Sequence, residues 1–162
     1  MFVDRQDKLR LELKFILAAT SDFCSGIDFF EQKQAHVHNT RQKLEEILVG
    51  QLRKFVDKSE LNNIDDDGEL SRKNALELIQ LDIDKVEALS SKKIFIGQEA
   101  ERELKNLGLS PQSVQIRWFF DQVKVFHITA AKYLQKYFKV ALSDSAMENM
   151  ASLHPKNQSS FK

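Results

Sequence analysis

The hydrophobic residues in the first third of the chain recur at helical spacing. An i, i+4, i+7, i+8 pattern predicts a first helix over about residues 4 to 19. This pattern is formed by Leu9, Leu13, Ile16 and Leu17. A second periodic stretch comprises Phe23, Ile27 and Phe30, and a third comprises Leu44, Ile47, Leu48, Leu52, Phe55 and Val56. The spacing leaves open whether residues 27 to 57 form one helix or two helices with a break near residues 38 to 40.

The middle of the chain combines turn-forming residues with short apolar segments. Residues 59 to 71 are acidic and rich in Asn, Asp, Gly and Ser, which predicts the main surface loop. A short helix is predicted over about residues 72 to 80, and the apolar run at residues 94 to 96 is predicted as an extended segment. A further helix over residues 98 to 107 should end at Gly108, because glycine suits the left-handed conformation that follows many helices.

The longest predicted helix covers about residues 111 to 138 and has the widest apolar face. Ser110 and Pro111 supply an N-cap and a first-turn proline. One face is formed by Ile116, Phe120, Val123, Ala130, Leu134 and Tyr137, and it is widened by Trp118, Phe119, Phe126, Tyr133 and Phe138. A face this wide belongs to a helix with neighbours on more than one side. We therefore expect this helix at the centre of the core.

Length and composition favour one all-helical domain. The chain has 162 residues, the usual size of a single domain. Its five Gly and two Pro are few for the turns that a many-stranded fold needs. A final short helix is predicted to begin at Ser143 or Ser145 and to end before Pro155. We predict an all-α, irregular bundle of about five to seven helices around the central aromatic helix. Residues 1 to 158 form the domain, and residues 159 to 162 form a frayed tail.

The charges balance overall but are unevenly distributed. The net charge is zero, which argues against a protein whose main role is to bind the phosphate backbone of nucleic acids. Residues 1 to 59 carry a net +1, residues 60 to 103 a net −6 and residues 104 to 162 a net +5. A single cysteine excludes an internal disulfide and indicates a reducing compartment. Without a signal peptide or a membrane-length apolar run, we expect an intracellular protein that does not enter membranes.

The acidic loop resembles a degenerate calcium-binding loop. Counted from Asn63, oxygen-bearing side chains occupy positions 1, 3, 5 and 9 of an EF-hand loop, and Gly68 occupies the sixth position. The candidate ligands are Asn63, Asp65, Asp67 and Ser71. Position 12 is Asn74, which cannot supply the bidentate carboxylate that completes the calcium shell. Calcium binding is therefore a minor alternative, and we predict neither a metal site nor a cofactor.

Basic residues lie along the predicted aromatic helix and suggest a second alternative, contact with DNA. Three of them, Lys132, Lys136 and Lys139, have i, i+4, i+7 spacing and share a helix face, and Lys124 lies one heptad or more before them. Basic residues next to aromatic ones are typical of nucleic-acid-binding surfaces. The simpler interpretation, which we favour, is the solvated side of an amphipathic core helix.

No catalytic motif is present in the sequence. Glycine-rich phosphate loops, nucleophile elbows and zinc-protease helices are all absent, so we predict a protein that is not an enzyme. His36 and His38 point about 200° apart on a helix and cannot share one ion there. His127 is predicted as a hydrogen-bonded core or boundary residue, and Cys24 as a small buried apolar residue.

Three stretches together resemble a group of animal proteins that look derived from hAT-type transposases. They are Arg53 to Leu61, then Ile94-Phe95-Ile96-Gly97 leading into Ala100 and Leu104, then Arg117 to Pro155. The closing element is Leu153-His154-Pro155, where the group has Asp in place of His154. The resemblance implies a helical region beside or within a ribonuclease-H-like core, associated with protein assembly and DNA contacts. It carries no catalytic residue over to this chain, and it implies a nuclear location.

The leading hypothesis is a non-catalytic helical interaction or scaffold domain, a domesticated or truncated piece of a transposase-like protein. Its expected partner is a protein, bound through one apolar face. The first alternative is a DNA-contacting module that uses the face of Lys124, Lys132, Lys136 and Lys139, and the second is the degenerate calcium-binding protein.

Overall fold

The computed structural model describes residues 5–31, 37–64, 70–90, 93–108, 110, 112–145 and 149. Within them lie five α-helices: α1 (Arg5–Glu31), α2 (Val37–Arg53), α3 (Ala75–Gln80), α4 (Gln98–Asn106) and α5 (Val114–Ser143). One 3-10 turn (Lys58–Leu61) precedes a small antiparallel hairpin of β1 (Asn62–Ile64) and β2 (Leu70–Arg72). The predicted all-α class is therefore confirmed. None of the described helices has both the length and the apolar character needed to cross a membrane.

Two of the predicted periodic stretches belong to a single helix. α1 continues through Phe23, Ile27 and Phe30, well past the predicted end at residue 19. α2 begins at Val37, so one helix over residues 27 to 57 is wrong, and the predicted break at residues 38 to 40 falls inside the first turn of α2. Gly26 lies buried in α1, where a Cβ would stand 2.6 Å from Cδ1 of Ile47. The glycine therefore permits a close approach of α1 and α2.

The predicted surface loop over residues 59 to 71 contains regular structure. Its two ends pair as β1 and β2, with Asn63 opposite Ser71. The following helix starts at Ala75, three residues later than predicted, because Asn74 is its N-cap. The Asn74 side chain accepts a hydrogen bond from the Glu77 amide, and the Glu77 carboxylate accepts one from the Asn74 amide.

The boundaries of α5 also differ from the predicted ones. Gly108 has φ 60°, which confirms the left-handed residue after α4. Ser113, not Ser110, caps α5, because its hydroxyl accepts a hydrogen bond from the Ile116 amide at 3.2 Å. The helix then continues to Ser143, so a separate helix beginning at that residue is wrong, whereas Ser145, the other predicted start, is helical. Residues 150 to 162, which include the predicted tail, lie outside the described part of the chain.

The described apolar residues form two clusters, and α5 contributes to both. The first cluster joins α2, α3 and the C-terminal half of α5 around Leu48, Leu52 and Phe55. The second joins α1, α4 and the N-terminal half of α5 around Phe15 and Phe119. It also contains Ile94 and Ile96 from the predicted extended segment, which forms no strand. The central position predicted for the aromatic helix is confirmed.

The packed face of α5 is shifted from the predicted one. Its buried residues are Ile116, Phe119, Val123, His127, Ala131, Leu134 and Leu142. Phe120 is only half-buried, and Tyr137 is exposed. Apolar side chains occur almost all around this helix, so their spacing alone does not identify the packed side.

His127 lies where the two clusters meet and is completely buried. Its Nε2 is 2.9 Å from the carbonyl oxygen of Phe95, and its Nδ1 is 3.1 Å from Nε2 of Gln51. The ring of Phe55 stacks parallel to the imidazole at 6.1 Å. Burial lowers the pKa of His127 below its ordinary 6.5, although the hydrogen bond with Phe95 opposes this shift. The neutral imidazole thus links the two clusters through hydrogen bonds, as predicted for a hydrogen-bonded core histidine.

Candidate interaction surface

α1 packs onto the domain through one face, which is not the face defined by its leucine pattern. The buried residues of this helix are Leu11, Phe15, Ala19 and Gly26. The Phe15 ring meets the rings of Phe119 and Phe126 edge to face, at 6.1 and 5.3 Å. Such pairs add about 0.5–1.5 kcal/mol beyond the area they bury. This face therefore holds α1 against α5.

Polar contacts fix the same packed side of α1. Glu103 of α4 is buried and accepts hydrogen bonds from Lys14 at 2.5 Å and from Arg10 at 3.4 Å. The hydrogen bond with the Lys14 ammonium group holds the pKa of Glu103 below its ordinary value. Near the middle of the helix, the buried Lys54 ammonium group donates to the Ala19 carbonyl at 2.9 Å and lies 3.0 Å from Asp22. These contacts fix the rotation of α1 about its own axis.

The other side of α1 exposes a row of large apolar side chains, which we call the outer α1 strip. Their exposed fractions range from 45% to 72%. The strip consists of Leu9, Leu13, Ile16, Leu17, Ile27 and Phe30. Cys24 is also exposed on α1, so the prediction that this cysteine is buried is wrong. The residues that defined the first predicted helix thus form a surface.

Two clefts lie on either side of Trp118, and the smaller one borders this strip. The larger has a volume of about 460 Å³ and is lined mainly by apolar side chains of α1, α5 and the end of α4, together with Arg5, Lys8 and Glu12. The smaller, of about 320 Å³, includes Ile16 of the strip together with Val125 and Phe126. Lys8, which lines the larger cleft, holds its ammonium group 3.7 Å from the Trp118 ring centroid. Large aromatic rings separate α1 from α5 and leave these clefts open.

The charges of α1 are divided between its two halves. Residues 5–17 carry four basic and two acidic side chains, whereas residues 18–31 carry three acidic side chains and no basic one. The last turn has no basic residue. This order is unfavourable for an isolated helix, because the macrodipole favours acidic side chains at the N-terminus and basic ones at the C-terminus. The order of the residues shows this division, whereas the spacing of apolar residues does not reveal it.

The candidate calcium ligands are only partly described. Asn63 and Ser71 face each other across the hairpin, and the Asn63 amide donates to the Glu77 carboxylate at 3.0 Å. Asp65 and Asp67 lie outside the described residues. Among the residues that are described, no group of three or more His, Cys, Asp or Glu side chains could hold a metal ion. Calcium binding stays a prediction, which calorimetry with added calcium tests.

All four candidate DNA-contacting lysines are exposed on α5. Lys132 lies 2.7 Å from both carboxylate oxygens of Asp84, so one of the four positive charges is paired. The Lys136 ammonium group lies 5.5 Å from the Tyr137 ring centroid. Tyr133 and Tyr137 stack almost parallel at 6.1 Å next to these lysines. The remaining candidate residues are Lys124 and Lys139.

Comparisons with known proteins give no relative for this chain. No protein-family model matches it, and neither a curated protein nor a solved structure does. The resemblance to hAT-type transposase-derived proteins therefore stays a prediction. His154, which departs from the pattern of that group, lies outside the described residues.

Proposed function

We propose that this chain is a non-catalytic helical interaction domain that binds a protein through the outer α1 strip. The observation that carries the proposal is the exposure of six large apolar residues on one side of a helix that is anchored by its other side. Helices of monomeric proteins usually turn such residues inward, and an extended exposed apolar patch marks an interaction site.

The surroundings of the strip fit a protein partner. The two clefts of about 460 and 320 Å³ are large enough to take anchoring side chains. Trp118, which separates them, is 42% exposed, and tryptophan is one of the residues that most often dominate binding energy at interfaces. An amphipathic helix laid along α1 would cover the strip and reach these clefts.

The test is to make the strip polar without changing the fold. We expect Leu13→Glu combined with Leu17→Glu to abolish cross-linking of the chain to its partner in cells, because both side chains are at least half exposed and the charges would be desolvated on binding. Val140→Glu is the matched control, since Val140 is 78% exposed on α5. The readout is quantitative cross-linking mass spectrometry through Lys8 and Lys14 of α1. Equal cross-linking of both variants would contradict the proposal.

A DNA-contacting function is the second candidate, favoured by the exposed, stacked pair of Tyr133 and Tyr137 among lysines. If it is right, affinity for a short DNA should fall steeply between 50 and 200 mM salt. Lys132→Glu with Lys136→Glu should then weaken binding by at least about tenfold. Filter binding at the two salt concentrations checks this, and weak binding that both changes leave unaltered would reject the DNA function.

The transposon-derived origin belongs to the same proposal and rests on the resemblance alone. It carries with it an intracellular, nuclear location. Genomic sequence on both sides of the coding region tests the origin, because a transposase relic should adjoin segments for a zinc-binding DNA domain and for ribonuclease-H-like strands.

A further inference from the structure

We propose that this chain also binds a small phosphate monoester, in a cavity formed by α2, the 3-10 turn, the hairpin and α3. The cavity has a volume of about 360 Å³. Its polar lining consists of Arg53, Lys58, Asn62 and Arg72. The site is independent of the outer α1 strip, because none of its lining residues belongs to α1 or α5. The remaining lining consists of three buried apolar side chains, those of Val49, Leu61 and Leu78.

Three cationic side chains from separate elements converge on this cavity. Arg53 ends α2, Lys58 begins the 3-10 turn, and Arg72 ends β2. The helix dipole favours a cation at the end of α2, which on its own would account for Arg53. It does not account for the two further cations, which repel the first unless an anion lies between them. The convergence of these charges therefore points to a negatively charged ligand.

Carboxylates of the described residues neutralise only one of the three charges. Glu45 accepts a hydrogen bond from Arg72. Within the described part of the chain, no carboxylate forms an ion pair with Arg53 or Lys58. Asp57, the sequence neighbour of Lys58, does not line the cavity, and its side chain caps the 3-10 turn. Three cations less one carboxylate leave a net charge of +2 at the cavity.

This charge balance favours a phosphate monoester over other anions. At neutral pH such a group carries about 1.5 to 2 negative charges and three strong acceptor oxygens. A carboxylate, or the phosphate diester of a nucleic-acid backbone, carries only one negative charge. The guanidinium groups of Arg53 and Arg72 can each donate two parallel hydrogen bonds to phosphate oxygens. The volume is at the lower end of the about 300–1,000 Å³ that ligand cavities occupy, and the apolar wall can contact the organic part of a small ester.

Contacts between the surrounding elements fix the positions from which the cationic side chains extend. Asn62 lies opposite Arg72 in the hairpin, and its side-chain amide donates a hydrogen bond to the Lys58 carbonyl at 2.8 Å. Leu61 of the 3-10 turn is buried in the same apolar cluster as Val49 of α2. The backbone of the site is therefore preformed, and a bound anion needs to order only the ends of the side chains.

The first experiment titrates the isotope-labelled full chain with glycerol 3-phosphate at pH 7.5 and follows its NMR spectrum. We expect the side-chain Nε–H signals of Arg53 and Arg72 to shift until saturation, with a Kd of roughly 1 mM, and inorganic phosphate to shift the same two signals. Dimethyl phosphate, which carries one charge, should bind at least about fivefold more weakly at the same ionic strength. Unshifted arginine signals, or equal affinity for the diester, would overturn the proposal.

The second experiment compares charge changes inside and outside the cavity. Arg53→Gln with Lys58→Gln removes two lining cations and should weaken the binding of glycerol 3-phosphate at least about tenfold. Lys105→Gln with Lys139→Gln removes the same charge from exposed positions on α4 and α5. Solvent screening should keep the affinity of this control within about twofold of the natural chain. Equal weakening in the two double variants would indicate unspecific attraction and would contradict a site in the cavity.

A third variant should change the affinity in the opposite direction. Glu45→Gln frees Arg72 from its ion pair and raises the net charge at the cavity to +3, so glycerol 3-phosphate should bind at least about threefold more tightly. Glu101→Gln is the matched control, because Glu101 is an exposed carboxylate on α4 outside the cavity. If Glu45→Gln bound the ester no more tightly than Glu101→Gln, Arg72 would not hold the anion and the proposal would be wrong.

Discussion

Replacing Gly97 with alanine should lower the free energy of unfolding by about 3–5 kcal/mol, since two separate costs add. Gly97 precedes α4 with φ 85° and ψ 148°, a conformation that residues with a Cβ rarely adopt. A Cβ at this position would also stand 2.2 Å from the Cβ of Ala18 on α1. The close approach lies between two helices whose contact is further fixed by Glu103, so neither can move freely. Urea unfolding measures the loss.

Gly108→Ala is the matched control for this prediction. Gly108 also has a positive φ, 60°, but nothing lies within 4 Å of the place where its Cβ would be. It should therefore show only the conformational cost, about 1–2 kcal/mol. Equal losses in the two variants would mean that α1 does not approach the start of α4 as closely as described.

His127→Phe should be the second strongly destabilising change, costing about 2–4 kcal/mol. Phenylalanine keeps an aromatic ring beside Phe55, so the change mainly removes polar contacts. It leaves the Phe95 carbonyl without the imidazole, which lies 2.9 Å from it, and deprives the Gln51 amide of one contact at 3.1 Å. A buried polar group without a partner costs more than its hydrogen bond contributes. Urea unfolding at pH 7.5 measures the change.

The pH dependence of stability distinguishes this role from simple packing. Burial lowers the pKa of His127 in the folded protein, so the unfolded chain binds a proton more readily. The stability associated with the neutral imidazole is therefore complete above about pH 6.5 and declines as the pH falls through that value towards the lower folded-state pKa. His127→Phe should remove this part of the decline, whereas Gln51→Leu should retain it. An unchanged pH profile in His127→Phe would contradict the prediction.

Periodicity predicted the helices of this chain better than their packed faces. In α1 two apolar patterns coexist, one through Leu9 and Leu13 and one through Leu11 and Phe15, and only tertiary contacts decide which is buried. The aromatic rings of Phe119 and Phe126 give the second pattern its partners. Hydrophobicity alone does not identify the buried pattern, because leucine occurs in both of them.

The candidate site was predictable in its residues but not in its role. The strip residues were identified from their spacing, yet their exposure follows from the position of Glu103 and Lys54, which are far away in the sequence. The acidic loop shows the opposite error. Its turn-forming composition predicted the main surface loop, but residues 62–64 and 70–72 pair as strands. Pairing of this kind is stabilised by contacts between side chains on the two strands, which turn propensity does not reveal.

The division of the core has a consequence for synthesis of the chain on the ribosome. α5 supplies one wall of both apolar clusters, and it is the last of the described helices to be made. At about 5–20 residues per second, the preceding segments wait for seconds with their apolar residues uncovered. Both clusters therefore keep one side uncovered until α5 is made. The nascent chain should therefore depend on chaperones that hold exposed apolar segments until α5 leaves the ribosomal tunnel.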